Sequence, residues 1–228
     1  MNGRILTAGL CSLLLLGGPA ALAAGNGTQM NATSPAKMTA QEIVANAIAP
    51  IQRVKADKHF NALLSRAKGV AIFPSVAKGA LVAGGSGGEG VILARNGGKW
   101  SDPAFLSVGS ISLGAQVGGK AGPVVMLLMS NKALDDMTAR NNFSLNANAG
   151  LTIVNYSAKG QGGFGKGDVI VWSGAGGAFV GASVSIADIA ADPGRDAAFY
   201  GKTANTAQII QGHMHNAHAE KLIDALSS

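Results

Sequence analysis

The sequence predicts an α+β fold: a glycine-rich, mostly antiparallel β-sheet core, open to closure as a barrel, with flanking helices. Three observations carry that reading. Glycine makes up 33 of the 228 residues, roughly double its usual share, yet 47% of the chain is apolar, so the glycines belong inside folded elements. Between Gly69 and Gly181 short apolar runs alternate with glycines, at lengths suited to strands. Before and after that stretch the apolar spacing turns helical.

The chain opens with an export signal, residues 1–23. Arg4 supplies the positive charge, Ile5 to Leu16 the apolar run, and Ala21-Leu22-Ala23 the small-x-small cleavage pattern, with the cut after Ala23 and Ala24 as its near rival. An apolar run of this length falls short of the ~20 residues that span a bilayer. Cys11, the sole cysteine, lies inside the signal behind Leu10, a poor setting for lipidation, so the mature chain is expected to have no disulfide. The expected location is the periplasm or outside the cell, with peripheral attachment to an envelope membrane left open. Residues 24–38 read as a flexible polar leader and residues 39–228 as one domain.

Thr39 and Glu42 form a capping box for the first helix. Ala40, Ile43, Val44, Ala47, Ile48, Ile51 and Val54 share one arc, which should pack on the domain's own sheet, and Pro50 should kink or break the helix. A short second helix covers Lys58 to Ala67. Val70 to Phe73 is a strand closed by Pro74; Gly79 to Gly84 and Gly90 to Arg95 are strands around a glycine turn. Asn96-Gly97 marks a hairpin returning through Lys99-Trp100. Phe105 to Val117 shows a loose period of two, and Val124 to Met129 reads as a fully buried strand. Asn131 caps a helix from Lys132 to Arg140. Strands follow at Ser144 to Ala149, Leu151 to Tyr156, Val169 to Trp172 and Ala178 to Val184, with Ala158 to Lys166 a mobile-looking connection. A C-terminal helix spans residues 203–226.

Charge is unevenly placed. Arg53, Lys55, Lys58, Arg66, Lys68 and Lys78 fall in one window with a single acid, Asp57, while the rest of the mature chain balances. Such a window suits an anionic partner, and on charge alone an ordinary solvated face serves equally well. His59 adds charge there at low pH.

No enzyme chemistry stands out. The glycines from Gly84 to Gly90 lead into a strand rather than a helix N-terminus and read as a hairpin turn, not a phosphate loop. Ser173 lacks the nucleophile-elbow frame. On a helix, His213 and His215 point about 160° apart, so no three-ligand metal site forms with His218 and none is expected. Asp135-Asp136 reads as a helix face and Asp102 as a turn residue. With one aromatic, Phe60, in the basic window, nucleic-acid binding is not expected, and no cofactor is implied.

Several segments occur in a telling order. Ala67-Lys68-Gly69-Val70-Ala71-Ile72-Phe73-Pro74 precedes Lys78-Gly79, Gly84-Gly85 and Gly88-Glu89-Gly90-Val91. Trp100-Ser101-Asp102-Pro103-Ala104-Phe105, the stretch Gly109 to Gly118, Gly177-Ala178-Phe179 with Gly181-Ala182-Ser183, and Phe199-Tyr200-Gly201 follow. Over residues 41–201 this order resembles the SYLF domain family, the lipid-binding domain of yeast actin-regulating, Las17-binding proteins. The resemblance implies affinity for phosphoinositides and other anionic lipids, partly through an N-terminal amphipathic helix. The resemblance also takes in some eukaryotic relatives that bind actin and carry an SH3 or FYVE module, and neither module is expected in this chain. Export makes actin and phosphoinositides poor partners for this chain.

The sequence therefore predicts an envelope lipid-binding protein that docks on anionic membrane surfaces through Arg53, Lys55, Lys58, Arg66, Lys68 and Lys78. The alternative is an envelope assembly protein working by protein–protein contacts. The oligomeric state is not specified.

Overall fold

The computed structural model describes residues 38–76, 87–113, 122–139, 143–145, 151–155, 167–174 and 184–228. The signal, most of the leader, Lys78, the strand expected at Gly79 to Gly84 and the connection Ala158 to Lys166 lie outside the described residues. So does all of the strand expected at Ala178 to Val184 except its last residue. The fold is α+β, with a curled, half-barrel sheet that is mostly antiparallel. In chain order the elements are α1 (Ala40–Lys55), α2 (Lys58–Leu64), β1 (Gly69–Val76), β2 (Gly88–Asn96), β3 (Lys99–Trp100), β4 (Ala104–Leu113) and β5 (Gly122–Leu128). Next come α3 (Asn131–Ala139), β6 (Phe143–Leu145), β7 (Ile153–Asn155), β8 (Val169–Ser173) and β9 (Val184–Ala191). The chain ends in α4 (Pro193–Tyr200), α5 (Thr206–Ile210), a 3-10 turn (Ala217–Ala219) and α6 (Glu220–Ser227).

The strand order is β6-β9-β4-β2-β1-β5-β8-β7, with β3 paired to β2; among the described residues only the β7–β8 pair is parallel. Central strands send alternate residues to opposite faces, and both faces are covered. Val70, Ile72, Val91, Leu93, Val125, Leu127 and Ile170 pack with α1 and α6. Ala71, Phe73, Ile92, Val124, Met126, Leu128, Val169 and Val171 form a second core with residues of α3 and α5. Two buried faces explain why these strands read as unbroken apolar runs, and Val124 to Leu128 is buried throughout.

The capping box at Thr39 forms as expected, with reciprocal bonds between Thr39 and Glu42. These bonds hold the Glu42 carboxyl below its ordinary range, the backbone bond from Thr39 contributing most. The α1 arc packs inward: Ile43, Ala47, Ile51 and Val54 have no exposed surface. Pro50 neither ends nor splits α1, which runs through it with Pro50 buried. A proline here forfeits one backbone bond, and burial of the whole apolar face outweighs that loss.

Pro74 likewise does not close β1. The strand continues to Val76 across register shifts in both its pairings, between Ile72 and Ser75 toward β2 and between Phe73 and Val76 toward β5, as a residue without an N–H requires. At the hairpin Gly97 and Gly98 both have positive φ, 56° and 88°, which a two-residue primed turn demands. Gly90 shows the close strand stacking that the composition implied: a Cβ there would meet the Ile72 carbonyl and the Phe73 ring.

Two helix expectations change. Ser130, not Asn131, caps α3, its hydroxyl accepting from the Ala133 N–H at 3.2 Å. The single helix expected over residues 203–226 is instead α5, a 3-10 turn and α6, and α4 precedes it. Gly201 at φ 67° ends α4, and Gly212 at φ 85° follows α5. Strand β9 is not among those expected from the sequence and meets the expected strand at Ala178 to Val184 only at Val184. Among the described residues no helix is long and apolar enough to cross a membrane.

Candidate anionic-surface docking face

The motif residues build the fold first. Ser101 accepts from the Ala94 N–H at 3.0 Å and donates to the Asp102 carbonyl at 2.9 Å. Asp102 is no open turn residue: it is buried, accepts from the Asn216 N–H at 2.8 Å, and lies 3.5 Å from His215 Nδ1. The Tyr200 hydroxyl donates to the Pro103 carbonyl at 2.7 Å, and the Phe105 and Phe199 rings meet edge to face at 5.2 Å. Burial, with the nearby carboxylates Asp102 and Asp196, raises the Tyr200 hydroxyl well above its usual range. The Trp-Ser-Asp-Pro-Ala-Phe segment is thus locked to the Phe-Tyr-Gly segment.

Beneath that lock Asp196 has no exposed surface. One oxygen accepts from the Phe105 N–H at 2.9 Å, and Oδ2 has no partner among the described residues. Burial, aided by Asp192, raises its pKa to about 7 against the pull of that hydrogen bond. The adjacent Arg195 guanidinium binds Glu89 of β2, Asp192 at 2.5 Å and the Met38 carbonyl at 3.3 Å. Glu89 and Arg195 are each only 8% exposed, so the acid between Gly88 and Gly90 is a structural partner to α4.

The basic window is placed unevenly. On α2 Phe60, Leu63 and Leu64 turn inward, while Lys58 projects to the opposite side and is exposed, as is Arg66 in the turn beyond. Asp57 caps this helix, accepting from the His59 N–H at 2.9 Å and the Phe60 N–H at 3.2 Å. Arg53 and Lys68 are exposed as well. Among the described residues Arg53, Lys58, Arg66 and Lys68 form no ion pair.

Lys55 has a different setting. Its ammonium donates to the carbonyls of Ala225 at 2.8 Å and Ser228 at 2.6 Å and to the Ser228 hydroxyl, fastening α6 to α1. Its pKa is lowered by desolvation. Sequence reading also passed over Arg95, which lies outside the window yet beside it in space. Its guanidinium donates to the Leu64 carbonyl at the end of α2 at 3.2 Å and stacks 4.1 Å from the Trp100 ring centroid. Desolvation lowers its pKa too.

The histidines do not share a helix. His213 and His215 fall between α5 and the 3-10 turn, so the angular reasoning does not apply to them. Among the described residues no group of three or more His, Cys, Asp or Glu could hold a metal ion.

Comparison with known proteins bears on this architecture. Residues 109–228 match the Ysc84 family model, described as Las17-binding protein actin regulator. The SH3 domain-containing YSC84-like protein 1 of Rattus norvegicus is 30% identical over 87 residues, covering 38% of this chain and 25% of the relative. The human protein of that name is 28% identical over 92 residues, covering 40% and 27%. Protein YSC84 of Saccharomyces cerevisiae is 28% identical over 158 residues, covering 67% of this chain and 34% of the relative. The chain spans a quarter to a third of the length of these relatives. With its family match covering more than half of its residues, the chain belongs to the Ysc84 family, whose domain is the SYLF domain.

Proposed function

We propose that this protein docks on anionic membrane surfaces of the cell envelope through Arg53, Lys58, Arg66 and Lys68. Four exposed cations without ion-pair partners among the described residues carry this reading. Near an anionic bilayer each such charge contributes up to about 1 kcal/mol, enough together for reversible attachment. Lys78 shares this stretch of the sequence but lies outside the described residues, and the bonds of Lys55 to α6 turn it away from the face.

The apolar arc of α1 is spent on the domain's own sheet, so attachment is electrostatic rather than by insertion of that helix. The same burial leaves α1 little apolar surface for a protein partner, which favours lipid over an assembly role. The protein acts by binding, without catalysis or a cofactor. Its site of action is the periplasm or beyond, after removal of residues 1–23, so the actin regulation named for the family is not its role. Co-sedimentation with anionic and neutral vesicles at two salt concentrations tests this. Binding that needs anionic lipid and falls with salt supports it; indifference to vesicles points to the assembly role.

A further inference from the structure

The β2–β3 hairpin fastens α5 through one side chain. The Asn96 amide nitrogen donates to the carbonyl of Ile210, the last residue of α5, at 2.6 Å and across 114 residues of chain. With five residues, α5 is too short to persist as a helix on its own. Its capping box, Asn205 with Gln208, closes within the helix, so buried Ile209 and the bond to Asn96 help fix it on the sheet.

The same amide is open to chemistry. Asn96 and Gly97 are exposed at the tip of the hairpin, and Gly97, at φ 56°, has nothing within 4 Å of the place a Cβ would take. No side chain therefore shields the Gly97 nitrogen, which follows Asn96 in the chain and can close a succinimide ring on its side-chain carbonyl carbon. Cations flank the turn: Arg95 reaches the Gly98 carbonyl at 3.5 Å, and Lys99 is exposed. Positive charge here favours loss of the Gly97 amide proton and stabilises the oxyanion formed on attack. The Ile210 carbonyl faces the departing nitrogen and accepts more strongly as that nitrogen gains a proton.

We propose that Asn96-Gly97 is a self-modification site, at which deamidation releases α5 from the hairpin. The Gly97 backbone nitrogen gives its proton to hydroxide and bonds to the Asn96 side-chain carbonyl carbon. The bond from that carbon to the amide nitrogen breaks, and ammonia leaves after taking a proton from water. Water then opens the succinimide at either carbonyl, giving aspartate or isoaspartate. One water is consumed and one ammonia released, with nothing oxidised or reduced. Either product puts a carboxylate where a donor had been, and a carboxylate cannot donate to the Ile210 carbonyl. Isoaspartate also lengthens the main chain against its register with Lys99.

The test is to age the full chain at mildly acidic and mildly alkaline pH and map its peptides by mass spectrometry, reading isoaspartate by enzymatic methylation. Asn96 is expected to convert to both aspartate and isoaspartate, faster at alkaline pH, as is Asn26-Gly27, the same pair near the start of the chain. Asn61, Asn205 and Asn216, none followed by glycine, should stay intact over the same time. Asn96 unconverted after Asn26 has reacted, or aspartate formed there without isoaspartate, overturns the site. Hydrogen exchange reads the structural half. Asn96→Asp carries the product charge at an exposed position and should speed exchange from Thr206 to His213 about fivefold, with α1 unchanged. Aged wild type, separated from the unreacted form, should show the same gain. Unchanged exchange in either overturns the release of α5.

Discussion

Asp196 of α4 accepts a hydrogen bond from the Phe105 N–H of β4, 91 residues earlier, at 2.9 Å and with no surface exposed to solvent. That contact joins β4 to α4, and the burial of the carboxyl, which outweighs the hydrogen bond, gives the fold a pH dependence. The pKa of Asp196 is raised to about 7 in the folded protein, above its unfolded value near 4. Its stabilising contribution is therefore complete below about pH 4 and is lost as pH rises through about 7. Asp196→Asn should remove this dependence and, at pH 8, unfold at higher denaturant than the wild type, by at most about 4 kcal/mol. Paired urea titrations at pH 5 and pH 8 decide it; a wild type equally stable at both, or an Asn variant with an unchanged slope, contradicts the assignment.

Breaking the buried Glu89–Arg195 pair should be more damaging. Glu89→Ala leaves the Arg195 guanidinium with Asp192 and a carbonyl but without its β2 partner. A loss of roughly 3 kcal/mol is expected. Chemical denaturation measures it, and a loss below about 1 kcal/mol would make the pair a surface-like contact.

Ile51 lies on the inward face of α1 and is completely buried. Ile51→Ala should cost about 2–5 kcal/mol in stability. Vesicle affinity of the folded fraction should not change. A variant that melts normally yet no longer binds vesicles would place this face in lipid instead.

Lys55 separates the structural cation from the docking ones. Lys55→Met removes its bonds to Ala225 and Ser228, and should lower stability by about 1 kcal/mol and speed amide exchange in α6. Its effect on anionic-vesicle affinity should be smaller than that of Lys58→Met. Hydrogen exchange with mass spectrometry, read beside sedimentation, checks both halves; unchanged α6 protection with a large binding defect contradicts this division.

Local chemistry was the most legible part of the sequence. Thr39 and Glu42 announce their cap within four residues, Asn96-Gly97 a hairpin whose turn falls one residue later at Gly97-Gly98, and Val124 to Leu128 its burial on both faces. Features decided by distant partners were not legible. The stripe through Ile210, Met214, Ala217, Leu222 and Leu226 imitates one helix, but Gly212 adopts positive φ and Asn216 bonds to Asp102 and to the Phe199 carbonyl, dividing it. Lys55 looked like its basic neighbours because its acceptors lie 170 and 173 residues away. Arg95 escaped because a charge window follows the chain and not the sheet. The hairpin pattern did carry a signal, since a two-residue turn at Gly97-Gly98 places Arg95 opposite Trp100.

The central claim is that exposed cations of α2 and its flanks meet anionic lipid. The most direct measurement is the vesicle affinity of Lys58→Glu/Arg66→Glu against wild type, with thermal melts alongside, across a salt series. The account predicts an unchanged melt, an affinity lowered by more than about tenfold on anionic vesicles, and a shallower salt dependence. A folded double variant that binds anionic vesicles as the wild type does, with the same salt dependence, would contradict it.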